Sequence, residues 1–599
     1  MTRGARIMGK NGKALLAAAI AGLVFIGGVY WWNQRGGDGD TSAAPREGCT
    51  TVAVVASSEK AALMTEAAGR YNSSDREVDG NCYGIKVTSM ASGLAESRLA
   101  QQSWEDEEWG PAPDAWSPAA STWLELLRFD RSSHDRPDIL PAETESVVST
   151  PLVLAMPEPM ARALGWPDTP IGWSDLLSLA NDPGGWAAKG HPEWGEFKLG
   201  KTNPNMSTSG LAATVGAFVA ATGTSSDLTL DTLKEPRVRD FVAGVEKSVV
   251  HYGDTTLTYL ANLQRADDAG AALGYVSAVA IEEKSVLDYN SGNPTGNLQT
   301  KGQHDKPRVP LVAVYPKEGT LLSDNPYAVL DAQWSDAGKQ AGAKDFLDFL
   351  REPAQQELFT NEGFRTHDGQ PGSAVRDSEY LREDVGFTLS PPSPPVLSAV
   401  RGTWAELRKP AHVLLVLDVS GSMGTSAGAG KTRLELAQEA AVNGLSQLSD
   451  TDEVGLWVFP WQQQVYFQEI PIEPLGPRRQ LMINRIEQLI PSGGTPLYAV
   501  TRRATEAVRA SAGPDSINAI VVMTDGKNEY PDDNDADSLI QQLTDQAPEG
   551  GIRVFTIAYG EDADLDTLKR ISEASRAAAY DATDPATINT VFTNVLSNF

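Results

Sequence analysis

The 599-residue sequence predicts an α/β protein with two folded blocks, each built on a parallel sheet, behind a single membrane-spanning helix. In the first block a strand-like run, a serine loop and an amphipathic stretch follow one another twice, starting near Thr50 and Gly84. In the second block, short apolar runs such as 413–417 and 520–523 alternate with helical patterns, as strands covered on both faces do. The second sheet is therefore predicted to be doubly wound.

The membrane helix is predicted from an uninterrupted apolar run at 14–32, which four basic residues precede. At about 1.5 Å of rise per residue, the run nearly crosses a hydrocarbon core of roughly 30 Å. A cleaved signal peptide is the alternative, but its apolar region is usually only about 7 to 15 residues long. We predict a cytoplasmic segment at 1–13, a single-pass anchor in the cell membrane at 14–32 and a flexible stalk at 33–48, with the remainder outside the cytoplasm.

The amino-acid composition limits the classes of molecule that the protein can bind. The formal net charge of −29 argues against nucleic acid, because phosphate binding requires clustered Lys and Arg. The chain has two cysteines, Cys49 and Cys82, and outside the cytoplasm the simplest prediction is a disulfide between them. Cys49 does not suit lipid attachment, because Arg46, Glu47 and Gly48 precede it where a small apolar motif would be expected.

A proline-rich stretch separates the two folded blocks. The sequence LSPPSPPV begins at Leu389, and its prolines favour an extended, stiff connection. We predict folded blocks at 49–388 and 405–599, joined by a linker at 389–404.

The first block resembles the type 2 periplasmic solute-binding proteins. The resemblance lies in segments at 113–121, 151–164, 199–211, 273–278 and 311–317, and in a closing helix that ends in FLREPAQQELFTNEGF. It implies two α/β lobes that clamp a small solute between them, with helix N-termini and hydroxyl groups as contacts. An anionic solute would suit several backbone N–H donors, although any one such serine is otherwise a simple helix cap. The residues predicted to line the cleft are Ser57, Ser58, Ser92, Ser117, Ser207, Thr208, Ser209 and Tyr275.

The second block carries a metal motif in three separate pieces. Strand-like runs end at Asp418 and just before Asp525, and a loop carries Ser492-Gly493-Gly494-Thr495. Because ligands bind at the carboxyl ends of the strands in such sheets, the three pieces should meet at one edge. Carboxylate and hydroxyl oxygens suit Mg²⁺ or Mn²⁺.

This three-part pattern resembles the metal-ion-dependent adhesion site of von Willebrand factor A (VWA) domains. The resemblance implies that Ser420, Ser422 and Thr495 coordinate the ion directly, and that Asp418 and Asp525 act directly or through water. It also implies a protein partner that presents an Asp or Glu carboxylate to the ion. A phosphate-binding loop is the competing interpretation of 424–432, GTSAGAGKT, but five residues separate its glycine from the GK pair where four are required.

Three functions are compatible with these observations. The leading hypothesis is a cell-surface receptor that combines a solute-binding clamshell with a Mg²⁺-dependent adhesion module. The alternatives are a substrate-binding component of an ABC-type importer and a metal-dependent hydrolase or chelatase-like partner. We expect no enzyme activity, because the sequence has neither the HExxH spacing of a zinc protease nor the leading glycine of a nucleophile elbow before Ser420.

Overall fold

A computed structural model describes residues 48–599, apart from 224–227, 429, 461–463 and 548–550. The predicted cytoplasmic segment and anchor, and all of the predicted stalk except Gly48, lie outside the described residues. Across the described part of the chain, no helix combines the length and the apolar character that a membrane crossing requires.

The first strand pair confirms the disulfide. Strands β1 (Thr50–Ala56) and β2 (Tyr83–Ser89) run parallel, with Thr50 opposite Tyr83. Cys49 and Cys82 immediately precede them and are bonded, with their Cα atoms 4.9 Å apart.

Replacing both cysteines with serine is expected to lower the free energy of unfolding by about 3 to 4 kcal/mol, because the bond closes a loop across a separation of 33 residues. Urea unfolding of the variant and of the reduced wild-type protein measures the loss. Equal stability of oxidised and reduced wild-type protein would contradict the expectation.

The first lobe contains a five-stranded sheet. Besides β1 and β2, its strands are β3 (Ala115–Ser117), β4 (Glu145–Ser146) and β11 (Pro326–Val329). Their order is β2-β1-β3-β11-β4, and β11 is antiparallel to β3. The chain leaves this lobe after β4 and returns at β11. The helices are α1 (Ser58–Asn72), α2 (Ser92–Leu99), α3 (Asp106–Trp109), α4 (Ser121–Ser133), α12 (Ala337–Leu350) and α13 (Pro353–Asn361).

The second lobe is built around an eight-stranded sheet whose main path is β13-β10-β5-β8-β6-β7, with β9 and β12 also paired to β5. Its strands are β5 (Val148–Pro157), β6 (Leu199–Thr202), β7 (Val249–Gly253), β8 (Ala278–Glu282), β9 (Leu311–Val314), β10 (Thr320–Ser323), β12 (Arg365–Thr366) and β13 (Thr388–Leu389). Its helices are α5 (Glu158–Ala163), α6 (Trp173–Ala180), α7 (Thr208–Thr222), α8 (Pro236–Lys247), α9 (Thr256–Asp268), α10 (Ala272–Tyr275), α11 (Glu283–Asn290) and α14 (Ser373–Arg376). The sequence predicted a parallel sheet, but both lobe sheets combine parallel and antiparallel strands.

The proline-rich linker differs from its predicted extended form. Only its start is extended, and helix α15 spans Pro394–Leu407. The prolines at the helix start cost little, because the first turn of a helix has no partner for its N–H groups. Beyond that turn Val396, Leu397, Val400 and Trp404 are buried, so their packing makes this segment a helix.

The C-terminal domain has a six-stranded sheet in the order β18-β17-β14-β19-β20-β21. Its strands are β14 (Ala411–Asp418), β17 (Glu453–Phe459), β18 (Phe467–Pro474), β19 (Ile517–Thr524), β20 (Arg553–Tyr559) and β21 (Ala579–Ala582), and a hairpin of β15 (Ser426–Gly428) and β16 (Lys431–Thr432) lies outside the sheet. Its helices are α16 (Arg433–Gly444), α17 (Arg479–Glu487), α18 (Leu497–Ser511), α19 (Ala536–Gln546), α20 (Leu565–Ala574) and α21 (Ile588–Leu596). All the sheet strands are parallel except the edge strand β18, whose two prolines an edge tolerates.

Candidate solute cleft and metal centre

The metal motif lies at one edge of the C-terminal sheet. Strands β14 and β19 are parallel neighbours, with Leu417 opposite Met523, so their last residues meet at the same edge. Asp418 and Asp525 are both fully buried there. The structure therefore brings together the two carboxylates that the sequence predicted as metal ligands.

Hydrogen bonds hold these carboxylates and their neighbouring hydroxyls. Asp418 Oδ1 accepts from the Ser420 N–H at 2.7 Å, and its Oδ2 accepts from Thr524 Oγ1 at 2.6 Å. Ser420 Oγ and Ser422 Oγ are 2.9 Å apart, and Ser422 Oγ donates to Asp525 Oδ1 at 2.7 Å. Four of the five predicted ligands are thus connected by hydrogen bonds, with Asp418 joined to the others through the Ser420 N–H.

The fifth residue, Thr495, reaches the same edge through its loop. The Gly421 N–H donates to the Gly493 carbonyl at 2.9 Å, which ties the Thr495 loop to the Ser420 loop. A Cβ atom placed on Gly526 would lie 3.3 Å from Thr495 Oγ1, so this hydroxyl is next to the residue that follows Asp525.

Arg433, which the sequence did not suggest, shares the site. Its guanidinium donates to Asp525 Oδ2 at 2.9 Å and to Asp562 at 3.2 Å. Burial raises the pKa of Asp418 to about 7, against the hydrogen bonds from Thr524 and Ser420, which lower it. Arg433 compensates part of the negative charge of the site by pairing with one oxygen of Asp525.

The donor set fits a hard divalent cation. Two carboxylates and three hydroxyls supply only oxygen, the ligand type that Mg²⁺ and Mn²⁺ prefer. No group of three or more His, Cys, Asp or Glu in the described ranges is arranged to hold a metal, and this site has only two such residues. Metal binding here stays a prediction.

The competing phosphate-loop interpretation finds no support in the same region. Lys431 pairs with Glu439 at 2.7 Å, and Thr432 caps helix α16 together with Glu435. A phosphate-binding lysine would have to point at the ligand, whereas Lys431, in β16, is paired with Glu439 on the following helix α16.

The predicted cleft residues other than Tyr275 lie at or beside helix starts and a strand end near the contact between the two lobes. Ser57 and Ser92 stand at the starts of α1 and α2, and Ser117 ends β3, all at one edge of the first sheet. In the second lobe 207–209 begin α7. The Gly93 N–H donates to the Met206 carbonyl at 2.9 Å, so the lobes are in direct contact.

Most of the cleft hydroxyls already have protein partners. Ser92 Oγ accepts from the Ala119 N–H at 3.1 Å, and Ser117 Oγ donates to the Pro326 carbonyl at 2.8 Å. The other three buried hydroxyls are also bonded, Thr208 with Trp123, and Ser207 and Ser209 with each other. Of the predicted hydroxyls that are buried, only Ser57 Oγ lacks a partner among the described residues.

Tyr275 lies apart from the serines. Strands β6 and β8 run parallel. Tyr275 ends α10, just before the start of β8, whereas the serines of this lobe follow the end of β6. The tyrosine and the serines therefore lie at opposite ends of these strands. The hydroxyl of Tyr275 is 3.2 Å from His251 Nε2, and its ring is 5.9 Å from the Arg553 guanidinium of the C-terminal domain. The structure thus places Tyr275 at the boundary between domains.

Two charged residues that the sequence did not suggest, one in each lobe, are buried and interact electrostatically. Lys60, fully buried, donates to the Pro118 carbonyl at 2.7 Å and to Asn325 Oδ1 at 2.9 Å. Burial lowers the pKa of Lys60 to about 7. Glu282 ends β8 and is 2% exposed, and burial raises its pKa to about 8. The sequence feature that could have indicated Glu282 is a run of apolar residues that ends in two glutamates.

Comparison with known proteins gives two family matches. The family described as bacterial extracellular solute-binding protein matches residues 52–365, and the von Willebrand factor type A domain family matches residues 412–594. Both are families of binding or adhesion modules. Inter-alpha-trypsin inhibitor heavy chain H2 of Mus musculus is 27% identical over 176 residues, which cover 28% of this chain and 18% of that protein. The match thus spans less than a fifth of that relative.

Two solved structures illustrate the two halves of the chain. A periplasmic thiamin binding protein has 13% sequence identity and a TM-score of 0.40, covering 61% of this chain and 99% of its own. A von Willebrand factor type A protein from Catenulispora acidiphila has 19% identity and a TM-score of 0.27, covering 32% of this chain and 42% of its own.

Proposed function

Because the chain belongs to the bacterial extracellular solute-binding protein family and carries a von Willebrand factor type A domain, we propose that it is a membrane-anchored receptor. One module binds a small solute, and the other binds a protein partner through Mg²⁺ or Mn²⁺. The apolar run at 14–32 would hold the receptor in the cell membrane, with both modules outside the cytoplasm.

The contacts of the linker helix are the main support for a receptor. Arg401 on α15 donates to Asn205 Oδ1 of the second lobe at 2.9 Å, and it lies 3.6 Å from buried Glu96 of the first lobe. Its guanidinium also lies 5.9 Å from the Trp123 ring. The helix that leads to the C-terminal domain thus contacts both lobes.

The C-terminal domain contacts both lobes as well. Thr590 accepts a hydrogen bond from Arg98 of the first lobe. On the second lobe, the Ser597 carbonyl accepts from Asn203 Nδ2 at 3.0 Å, and Glu573 pairs with Arg265 at 2.6 Å. Because a clamshell separates its lobes to admit a solute, opening here would disturb these contacts, and solute occupancy would influence the C-terminal domain.

In this proposal the metal site recognises the partner. Ser420, Ser422 and Thr495 would hold the ion directly, and Asp418 and Asp525 would hold it directly or through water. The ion would supply an electrophilic position for an Asp or Glu carboxylate of the partner. Neither matched family is a family of enzymes, and we propose that the chain has no catalytic activity.

A substrate-binding component of an ABC-type importer is the second candidate, and the solute-binding family match favours it. It predicts that cells lacking the chain lose uptake of its solute, whereas a receptor of the kind proposed leaves uptake unchanged. Uptake of radiolabelled solutes by cells with and without the chain separates the two functions.

The receptor proposal is tested through the linker helix. Replacing Arg401 with alanine is expected to open the clamshell, because the bonds to Asn205 and Glu96 disappear together. Electron paramagnetic distance measurements between spin labels on the exposed Lys344 and Lys234, one on each lobe, should show a population with separations several ångströms longer.

Arg239→Ala is the matched control, because Arg239 pairs with Glu406 of the same linker helix at 2.8 Å but connects it to the second lobe alone. Its distance distribution should match that of the wild-type chain. Identical distributions in the Arg401→Ala and wild-type proteins would argue against a linker that joins the lobes, and so against the receptor proposal.

A further inference from the structure

Two helix starts, one in each lobe, hold buried polar atoms that have no partner among the described residues. Ser57 precedes α1 in the first lobe, and its Oγ has no hydrogen-bond partner among the described residues. In the second lobe, both carboxylate oxygens of Glu282, which precedes α11, and the Ser285 hydroxyl are likewise unpartnered in the described part of the chain. A buried polar group without a partner costs about 1 to 3 kcal/mol, so a partner is expected from outside the chain.

The charged groups at these two helix starts influence one another. The charge of Glu59, in the first turn of α1, raises the pKa of Glu282, after the larger effect of burial. Lys60 lies in the field of Glu59, Asp324 and Glu282. The charges of the two helix starts are therefore close enough to interact, although they belong to different lobes.

The charged groups that interact with Lys60, Glu282 or Lys284 carry unequal numbers of negative and positive charges. Including these three residues, the group consists of the carboxylates of Glu59, Glu282, Asp288 and Asp324 and the ammonium groups of Lys60 and Lys284. When all are ionised, two negative charges remain uncompensated. Lys284 is paired with Asp288, and Lys60 donates to Pro118 and Asn325, so the acceptors without partners are the oxygens of Glu282.

An anion is disfavoured at this position. A helix N-terminus attracts negative charge, but here the carboxyl groups of Glu59 and Glu282 already lie at the two helix starts. An anionic solute would have to approach these carboxylates, whereas a cationic solute would compensate their charge and donate hydrogen bonds to them.

We propose that the solute carries a protonated amine or a similar cationic donor, and that this group binds between the helix starts at Ser57 and Glu282. The inference rests on the proposed function of 49–388 as a solute-binding module. It names a cationic solute in place of the anion that the serine loops predicted.

The pH dependence follows from Glu282. Without a cation its carboxyl group has a pKa of about 8, raised by burial above the ordinary 4.5, so its stabilising contribution to the fold is lost as pH rises through 8. A bound cation favours the ionised form and expels the proton. Affinity for a cation should therefore increase from about pH 6 to about pH 8 and then level off.

Isothermal titration of the full chain in detergent tests the proposal. The probes are spermidine, choline and arginine as cations, sulfate and phosphate as anions, and glucose and maltose as neutral solutes. At least one cation is expected to bind with proton release, measured in buffers of different ionisation enthalpy. Glu282→Gln, which keeps the shape of the side chain, should weaken that binding at least tenfold and reduce its dependence on pH to the part that comes from Lys60, whose pKa is about 7.

Glu379→Gln is the control, because it removes the same charge from an exposed position of the same domain and should leave binding unchanged. Binding of only anions or neutral solutes would overturn the cationic inference and leave the solute-binding function standing. Cation binding that Glu282→Gln does not alter would also overturn it. If no probe of any class binds, both the inference and the proposed solute module are wrong.

Discussion

Replacing Asp418 with alanine is expected to weaken Mn²⁺ binding at least about 100-fold, since even residues that only support metal ligands contribute about 10- to 100-fold. Asp418 is fully buried at the end of β14 and contacts both Ser420 and Thr524. Its loss removes one of the two carboxylates in the predicted ligand set. Titration of Mn²⁺ followed by electron paramagnetic resonance measures the affinity.

The same variant should lose its protein partner. A pull-down from cell-surface extract, run with Mg²⁺ and then with EDTA, should capture partner proteins in the Mg²⁺ arm of the wild-type chain only. Asp562→Ala is the control, because Asp562 contacts Arg433 at the same edge but is largely exposed and is not a predicted ligand. Identical captured proteins with Mg²⁺ and with EDTA would contradict a metal-dependent partner.

Asp418→Ala also has an expected structural cost. Thr524 Oγ1 and the Ser420 N–H lose their acceptor, and a buried unpaired donor costs about 1 to 3 kcal/mol. The domain should still fold, because the site lies at the edge of the sheet. A much larger fall in stability, with no metal-dependent partner in the wild-type chain, would indicate an ion that only ties loops together.

Replacing Glu246 with alanine is expected to lower the free energy of unfolding by about 3 to 5 kcal/mol, because the Lys201 ammonium is left buried without its counter-charge. The side chains of this ion pair are 1% and 0% exposed. Glu246 also accepts from Tyr252 and, at 3.1 Å, from Trp404 of the linker helix. The variant should therefore release that helix as well as weaken the second lobe.

Urea unfolding followed by tryptophan fluorescence measures the effect of Glu246→Ala. The double variant Lys201→Met with Glu246→Leu should recover most of the loss, since apolar residues of similar size can replace a buried ion pair. Lys234→Ala, which breaks an exposed pair with Asp231, should change stability by less than about 1 kcal/mol. A loss below 1 kcal/mol in Glu246→Ala would show that the buried pair is not needed.

The sequence could predict the local elements, because their signals are local. Apolar runs at 413–417 and 520–523 became the buried strands β14 and β19, and the cysteines that precede β1 and β2 are bonded. The metal motif could be predicted too. Its pieces end neighbouring parallel strands or lie in a loop beside them, so the topology alone brings them to one edge.

Other features depended on packing between distant segments. The sequence did not reveal that Lys60 and Glu282 lie in one buried group, because 221 residues separate them and only the packing of the two lobes brings them together. Tyr275 was grouped with the serines, since sequence spacing does not show at which end of a strand a side chain lies. The helix in the linker also depended on packing between distant segments.

Prolines predicted an extended connection, but Val400 and Trp404 are buried and the segment is helical. The sequence by itself determined most of the strands and helices and which oxygen-bearing side chains follow the strands, because these follow from periodicity and chain direction. Only the tertiary structure decided which charges lose their water and which surfaces the linker joins. Burial and long-range contacts arise when the lobes and the C-terminal domain pack against one another, and no local sequence pattern predicts them.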